Sequence, residues 1–195
     1  MTPTRLILLA GGTAVLILLL VGLTGLRGSS ATAPSRLTLT QMRERLNGSP
    51  PALGSLHEQA SQLLPGGLPA LRARLLALRG VPVVINKWAS WCVPCQAEFG
   101  AFQAVSIAQG RRVAFIGIDS GEASRSDAAA FLRSRPLSYP SYYDPGDQAG
   151  TAITDSGFTP VTVFYDRRGA QYIHQGPYPS AAKLEADVRR YALEG

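Results

Sequence analysis

A β-branched run that stops at a pair of cysteines narrows the fold of this chain more than any other feature. Val81 to Ala89 reads Val-Pro-Val-Val-Ile-Asn-Lys-Trp-Ala, and Ser90-Trp91-Cys92-Val93-Pro94-Cys95 follows directly. Such a run suits a strand buried on both faces. Pro94 then suits the first turn of a helix, where φ near −65° is already helical and no N–H is needed. Cys92 therefore falls at a helix N-terminus, facing free N–H groups and the positive end of the helix dipole. Both favour thiolate over thiol, so its pKa is expected below the free value of about 8.5. Only thiolate attacks a disulfide. Cys95 lies one turn further on, within reach of Cys92. Cys92 is the expected nucleophile, Cys95 the resolving thiol, and Cys92–Cys95 the expected redox-active disulfide.

Composition removes the main rivals. The chain has 195 residues with 2 cysteines and 2 histidines, His57 and His174. A zinc ribbon needs a second cysteine pair, so no metal is expected. A structural disulfide with a two-residue spacer would constrain little chain. No cofactor motif is present. The formal net charge is +6, from scattered arginines with no run of five or six. That pattern reads as solvated surface with weak attraction to anionic lipid. No basic helix or aromatic-interleaved patch suggests nucleic-acid binding. Hydrophobic residues are 46%, enough for a core without disulfide staples. Nothing asks for more than a monomer.

Leu6 to Leu26 holds no charged residue. At about 1.5 Å per residue it spans roughly 30 Å, a bilayer core, so a transmembrane helix is expected there. A cleaved signal peptide is the rival reading: Ala31-Thr32-Ala33 resembles a cleavage signal, although Pro34 would follow the cut. Arg5 precedes the span, while Arg27, Arg36, Arg43 and Arg45 follow it, which by the positive-inside rule favours the bulk inside. The short basic flank before an apolar run and the redox motif argue for the bulk outside, and that orientation is expected. The organisation expected is 1–5 cytoplasmic, 6–26 signal-anchor, 27–40 flexible tether, 41–67 mainly helical extension and 68–195 a folded domain.

Leu53 to Leu64 reads as one short helix, stopped by Pro65-Gly66-Gly67. Ala70 to Arg79, apolar at Leu71, Leu75, Leu76 and Leu78, reads as an amphipathic helix ending at Gly80. After the Val81–Ala89 strand come a helix over Pro94–Ala108, a strand over Arg112–Ile118 and a helix over Ser124–Ser134. A strand over Thr159–Asp166, a tight turn to Gly169, a strand over Ala170–Gln175 and a helix over Ser180–Ala192 complete the chain. This order implies an α/β sandwich, a central mixed sheet flanked by helices.

Asn86-Lys87-Trp88-Ala89-Ser90-Trp91-Cys92-Val93-Pro94-Cys95-Gln96-Ala97-Glu98-Phe99 resembles the active site of the TlpA/ResA-type thioredoxin-like proteins. These are membrane-anchored thiol–disulfide oxidoreductases outside the cytoplasm of bacteria. The likeness covers about residues 68–193 and implies a thioredoxin-like fold. Cytoplasmic thioredoxins carry a buried aspartate where this chain has Asn86, and the resemblance gives Glu98 the role of accepting the Cys95 proton. Glu98 lies one turn beyond Cys95 on the same face, and partial burial would raise its pKa. Gly157-Phe158-Thr159-Pro160-Val161-Thr162 resembles the segment in which the family's proline is cis and packs beside the dithiol. That implies a cis Pro160 and a Thr159 backbone open to a substrate strand. Trp91 and Pro94 complete the expected substrate-binding set, with Trp91 at the rim and Trp88 in the core. Gly100 stands where the family commonly has proline. Lys87 stands at a usually apolar position; it either runs its stem along the core to solvent or pairs with Glu98 or Asp119. His174, Asp119, Asp144, Asp155 and the Arg111-Arg112 and Arg167-Arg168 pairs read as turn, cap or solvated surface.

The resemblance implies a reductase of protein disulfides, fed by a membrane dithiol carrier, with cytochrome c maturation as the suggested route. A disulfide-forming oxidant of exported proteins is the alternative, since the same fold runs both ways. A non-catalytic membrane-tethered redox sensor is a third reading. A peroxidase would need a cysteine in a T-x-x-C setting, which Cys92 lacks.

Overall fold

The computed structural model describes residues 37–195, so the expected span at 6–26, the cleavage signal and most of the tether lie outside the described residues. No helix among the described residues is long and apolar enough to cross a membrane. In chain order come α1 (Leu39–Leu46), α2 (Pro51–Glu58), β1 (Leu63–Leu64), α3 (Gly67–Ala77), β2 (Val83–Trp88) and α4 (Val93–Gln109). There follow β3 (Ala114–Ser120), α5 (Arg125–Ser134), β4 (Ser141–Asp144), α6 (Gln148–Thr154), β5 (Val161–Tyr165), β6 (Gln171–Gln175) and α7 (Ala181–Asp187). A π-helical turn, Val188–Leu193, closes the chain.

The strands form one sheet in the order β1-β4-β3-β2-β5-β6. β1, β4, β3 and β2 are parallel; β5 is antiparallel to β2 and β6 to β5. Alternation along each strand sends side chains to two faces. Val84, Phe115 and Phe164 stand in register and join one core with Trp88, Phe99 and Phe131. Ile85, Ile116 and Val163, also in register, join the other with Leu53, Leu56 and Leu71. Every residue of β2 is buried, as its β-branched sequence implies.

Trp88 shows how tightly the first core is set. Its ring meets Phe99 edge-on at 5.1 Å and Phe131 at 5.5 Å, contacts worth about 0.5–1.5 kcal/mol each beyond area burial. Its Nε1 donates to Ser141 Oγ at 3.1 Å. Gly117 makes this approach feasible, because a Cβ there would sit 2.9 Å from Nε1.

Three local features differ from the sequence expectation. The helix expected over Leu53–Leu64 stops at Glu58, and Leu63-Leu64 forms the sheet edge instead. Ser61 turns the chain with φ 59°, and backbone bonds from Ser61 to Tyr139 and from Ser141 to Gln62 outcompete another helical turn. The last helix gives way to the π-helical turn, in which Tyr191 stacks on Tyr172 at 3.5 Å. The sequence reading had no counterpart for β4 and α6. At the other end, Thr38 caps α1 in a reciprocal capping box with Gln41.

Because β5 runs antiparallel to β2, the C-terminal end of β2 and the N-terminal end of β5 lie at the same edge of the sheet. The cysteine loop leaves one and Thr159-Pro160 enters the other.

Candidate active site

Cys92 is the N-cap of α4, and its Sγ accepts the Cys95 N–H at 3.2 Å. One donor left over at the helix start thus points at the sulfur expected to carry charge. Cys92 and Cys95 are joined as a disulfide, with Cα atoms 5.3 Å apart. Cys95 is fully buried and Cys92 nearly so. The Thr159–Pro160 peptide bond is cis, and the Thr159 carbonyl oxygen lies 3.7 Å from Cys92 Sγ. Pro160 is buried and Thr159 half-buried. Trp91, Val93 and Phe158 stand 60%, 72% and 77% exposed around this point. They make an apolar rim that no buried core accounts for. Trp91 Nε1 donates to the Gly121 carbonyl at 3.3 Å. Phe158 was absent from the sequence-derived set, since an aromatic beside Gly157 in a loop carries no distinguishing signal.

The loop before Cys92 is held from two sides. Glu122 Oε2 accepts from Ser90 N at 2.9 Å and from Ser90 Oγ at 2.5 Å, while Gln96 Nε2 donates to the Ser90 carbonyl at 2.8 Å. Neither partner was singled out from the sequence.

Glu98 is fully buried on the face of α4 that carries Cys95. Its Oε1 accepts from Asn86 Nδ2 at 2.8 Å and its Oε2 from the Tyr178 N–H at 2.9 Å. Burial pushes the carboxyl up to about 7, against the pull of these two donors. Asn86 Oδ1 has no partner among the described residues. A flip of the Asn86 amide exchanges donor for acceptor, so the same residue can serve Glu98 in either protonation state.

Lys87 departs from its expected partners. It is fully buried and reaches neither solvent, Glu98 nor Asp119. It lies on the sheet face opposite Asn86, where Nζ sits 2.8 Å from Asp147 Oδ1 and donates to the Ser156 carbonyl at 2.7 Å. Gly150 leaves the space, since a Cβ there would lie 2.7 Å from Lys87 Cε. A buried cation needs such pairing, and here it also ties down the loop that ends in Thr159-Pro160.

Asp119 likewise departs from the solvated or turn role expected of it. It sits on β3 opposite Trp88, is fully buried, and neither carboxylate oxygen has a hydrogen-bond partner among the described residues. Burial, reinforced by the charges of Glu122 and Asp144 and opposed by Arg125, pushes its carboxyl up to about 8. Asp144 is a cap, accepting from the Gln148 and Gly150 N–H groups at 3.0 and 2.9 Å. Asp155 ends α6 with φ 49°. His174 stacks on Tyr178 at 4.2 Å. Arg111 donates to the Asn47 carbonyl, and Arg112, Arg167 and Arg168 are exposed. Among the described residues no three His, Cys, Asp or Glu side chains converge as a metal site requires.

Known proteins share this architecture. The thioredoxin-like protein YneN of Bacillus subtilis (strain 168) is 28% identical over 109 residues, which cover 54% of this chain and 62% of that protein. A secreted Mycobacterium tuberculosis disulfide oxidoreductase homologous to E. coli DsbE superposes with a TM-score of 0.54 at 24% identity, over 59% of this chain and 85% of that one. A secreted thiol-disulfide isomerase from Corynebacterium glutamicum gives 0.51 at 24% identity, over 62% and 73%. At this identity the two structures establish the fold, which is thioredoxin-like. Residues 71–170, half of the chain, match the AhpC/TSA family. The chain belongs to the AhpC/TSA family, with a thioredoxin-like fold.

Proposed function

We propose that this protein is an extracytoplasmic thiol–disulfide oxidoreductase that reduces disulfides of exported proteins. The observation that carries the proposal is the Cys92–Cys95 disulfide at the start of α4, with Glu98 buried one turn below it. The reduced form starts the cycle. Cys92 thiolate attacks a substrate disulfide, forming a mixed disulfide and releasing one substrate thiolate. Glu98 takes the Cys95 proton, Cys95 attacks Cys92 Sγ, and the second substrate thiolate leaves. The substrate has gained two electrons and the protein has become the disulfide. A membrane dithiol carrier then restores the dithiol. The rim of Trp91, Val93 and Phe158 supports a protein substrate, and the Thr159 backbone beside the sulfur supports its docking as an added strand. Cytochrome c maturation fits such a role, because a haem-binding C-x-x-C-H must be reduced before attachment.

The reduction potential of the Cys92–Cys95 couple, equilibrated against glutathione and dithiothreitol mixtures, tests the direction. A value near or below the −270 mV or so of thioredoxin is expected for a reductase. A value more than about 100 mV higher would instead make the protein a disulfide-forming oxidant.

Glu98→Gln tests the proton acceptor. Glutamine keeps the shape and, with the Asn86 amide flipped, keeps both hydrogen bonds, so the fold is expected to survive. Ionised only above about pH 7, Glu98 should make the resolution step accelerate as pH rises through that value. The variant is expected to lose this rise and to resolve the mixed disulfide about 100-fold more slowly at neutral pH. Single-turnover release of the second thiol measures both, and an unaltered pH profile would remove Glu98 from the chemistry.

A further inference from the structure

The two ends of the sheet differ in charge. The loops on the dithiol side, 65–66, 89–92, 121–124, 145–147, 155–160 and 176–180, carry no Lys or Arg; of their acids Glu122 is buried against Ser90, Asp147 is paired with Lys87 and Asp155 is exposed, and Arg125 adjoins them at the start of α5. The loops at the far end, 78–82, 110–113 and 166–170, carry Arg79, Arg111, Arg112, Arg167 and Arg168 against Asp166. All five arginines are exposed. Asp166 is buried and turned inward, accepting the Arg168 and Ala170 N–H groups at 2.8 Å each, with Arg168 Nε at 3.4 Å. Glu194 enters the same end, beside Gly195, which packs on Asp166. The arginines still outnumber the acids.

This end is also apolar. A cavity of about 390 Å³ opens between Leu75, Leu78, Val81 and Tyr165, with Arg79, Arg167 and Arg168 among its lining residues. A second groove of about 360 Å³, along α3, shares Leu75 and Arg79 with it and adds Arg72 and Leu76. Leu76 is 57% exposed. Cations standing over an apolar recess complement a layer of phosphates over hydrocarbon.

We propose that this end of the domain docks on an anionic lipid bilayer, with Arg79, Arg167 and Arg168 at the headgroup phosphates and Leu76 and the recess against the acyl region. β2 runs from this end to the cysteine loop, and six residues at about 3.3 Å each hold the dithiol roughly 20 Å away. Docking thus points the redox site away from the lipid surface. The inference stands apart from the redox chemistry, which survives its failure.

All residues of both core clusters lie after residue 50, so a chain of residues 37–195 keeps its cores and lacks the apolar run of 6–26. Its binding to vesicles of phosphatidylcholine with 30% phosphatidylglycerol, read by co-sedimentation at low salt, tests the proposal. Binding is expected, with loss in 0.5 M salt and at least tenfold weaker binding to pure phosphatidylcholine. Each arginine near an anionic surface contributes a factor of about five, so the triple variant Arg79→Gln, Arg167→Gln, Arg168→Gln should bind on the order of 100-fold more weakly. Unchanged dithiol turnover certifies that the variant is folded. Leu76→Ser should weaken vesicle binding severalfold. Equal binding by the triple variant and the parent overturns the proposal. So does equal affinity for monomeric dihexanoylphosphatidylglycerol, which would mean a soluble ligand, or tighter binding to duplex DNA at the same salt.

Discussion

Cys92→Ser is expected to abolish turnover of a protein disulfide, by at least about a thousandfold, whereas Cys95→Ser is expected to stop after one step. A serine hydroxyl at 92 has no accessible anion at neutral pH, so the helix-terminal N–H that serves a thiolate has nothing to activate. In Cys95→Ser the nucleophile remains, but nothing displaces the substrate from Cys92. A stable mixed disulfide should accumulate, visible as a mass increase equal to the substrate and removed by dithiothreitol. Insulin reduction by dithiothreitol and intact-mass analysis read the two outcomes. If Cys92→Ser formed the adduct and Cys95→Ser did not, the two roles would be exchanged. Removing either cysteine leaves the fold-determining contacts of Trp88 with Phe99 and Phe131 untouched, so the loss is chemical.

Asp119→Asn is expected to change how stability depends on pH. The folded protein holds the Asp119 proton up to about pH 8, whereas an unperturbed aspartate releases it near 3.8. A folded state that binds a proton more tightly is favoured at low pH. The contribution is therefore complete below about pH 4 and is lost as pH rises to about 8. At 1.36 kcal/mol per pKa unit the loss is on the order of 5 kcal/mol. Asparagine cannot ionise, so the variant should gain on the parent steadily over this window and be the more stable of the two in mild alkali. Urea unfolding of both proteins at pH 5, 7 and 9 measures the difference. A parent–variant gap that does not move with pH would show that Asp119 has no such role. The position of Asp119, beside Trp88 on the strand next to the cysteine loop, makes the same experiment a measure of how alkali loosens the site.

Where the chain speaks in continuous patterns, its structure was readable. The Val-Val-Ile run of β2 and the Pro94 start of α4 needed no tertiary information. The hairpin turn at Asp166–Gly169 was equally plain. The cysteines carry a chemical identity in their spacing, whereas Glu98 and the cis Pro160 were expected only on the family resemblance, since spacing alone distinguishes neither from an ordinary helix glutamate or a trans proline. Other elements depend on distant partners. Leu63-Leu64 belongs to a leucine-rich stretch with helical periodicity, and becomes a strand because Ser141 and Tyr142 lie alongside. β4 has four residues and mixed polarity, and α6 starts from Asp147 at φ 54° with its first N–H groups held by Asp144, three residues earlier, rather than by the Asp147 side chain. Lys87 and Asp119 were misread for the same reason. Charge suggests solvent, and only the packing of α6 over one face and the first core over the other decides otherwise. The Tyr178 N–H that holds Glu98 comes from 80 residues away, and a backbone donor leaves no trace in a side-chain pattern.

The unequal burial of the two tryptophans has an optical consequence. Trp88 is sealed in the core with its indole N–H on Ser141, while Trp91 stands 60% exposed next to Cys92. The chain holds two tryptophans in all. Its emission is thus the sum of a blue component from the interior and a red component from the residue adjoining the sulfur. Trp91 adjoins Cys92 and Trp88 shares a buried core with both cysteines, so oxidation and reduction of the dithiol register in the fluorescence, and the protein reports its own redox state without a label.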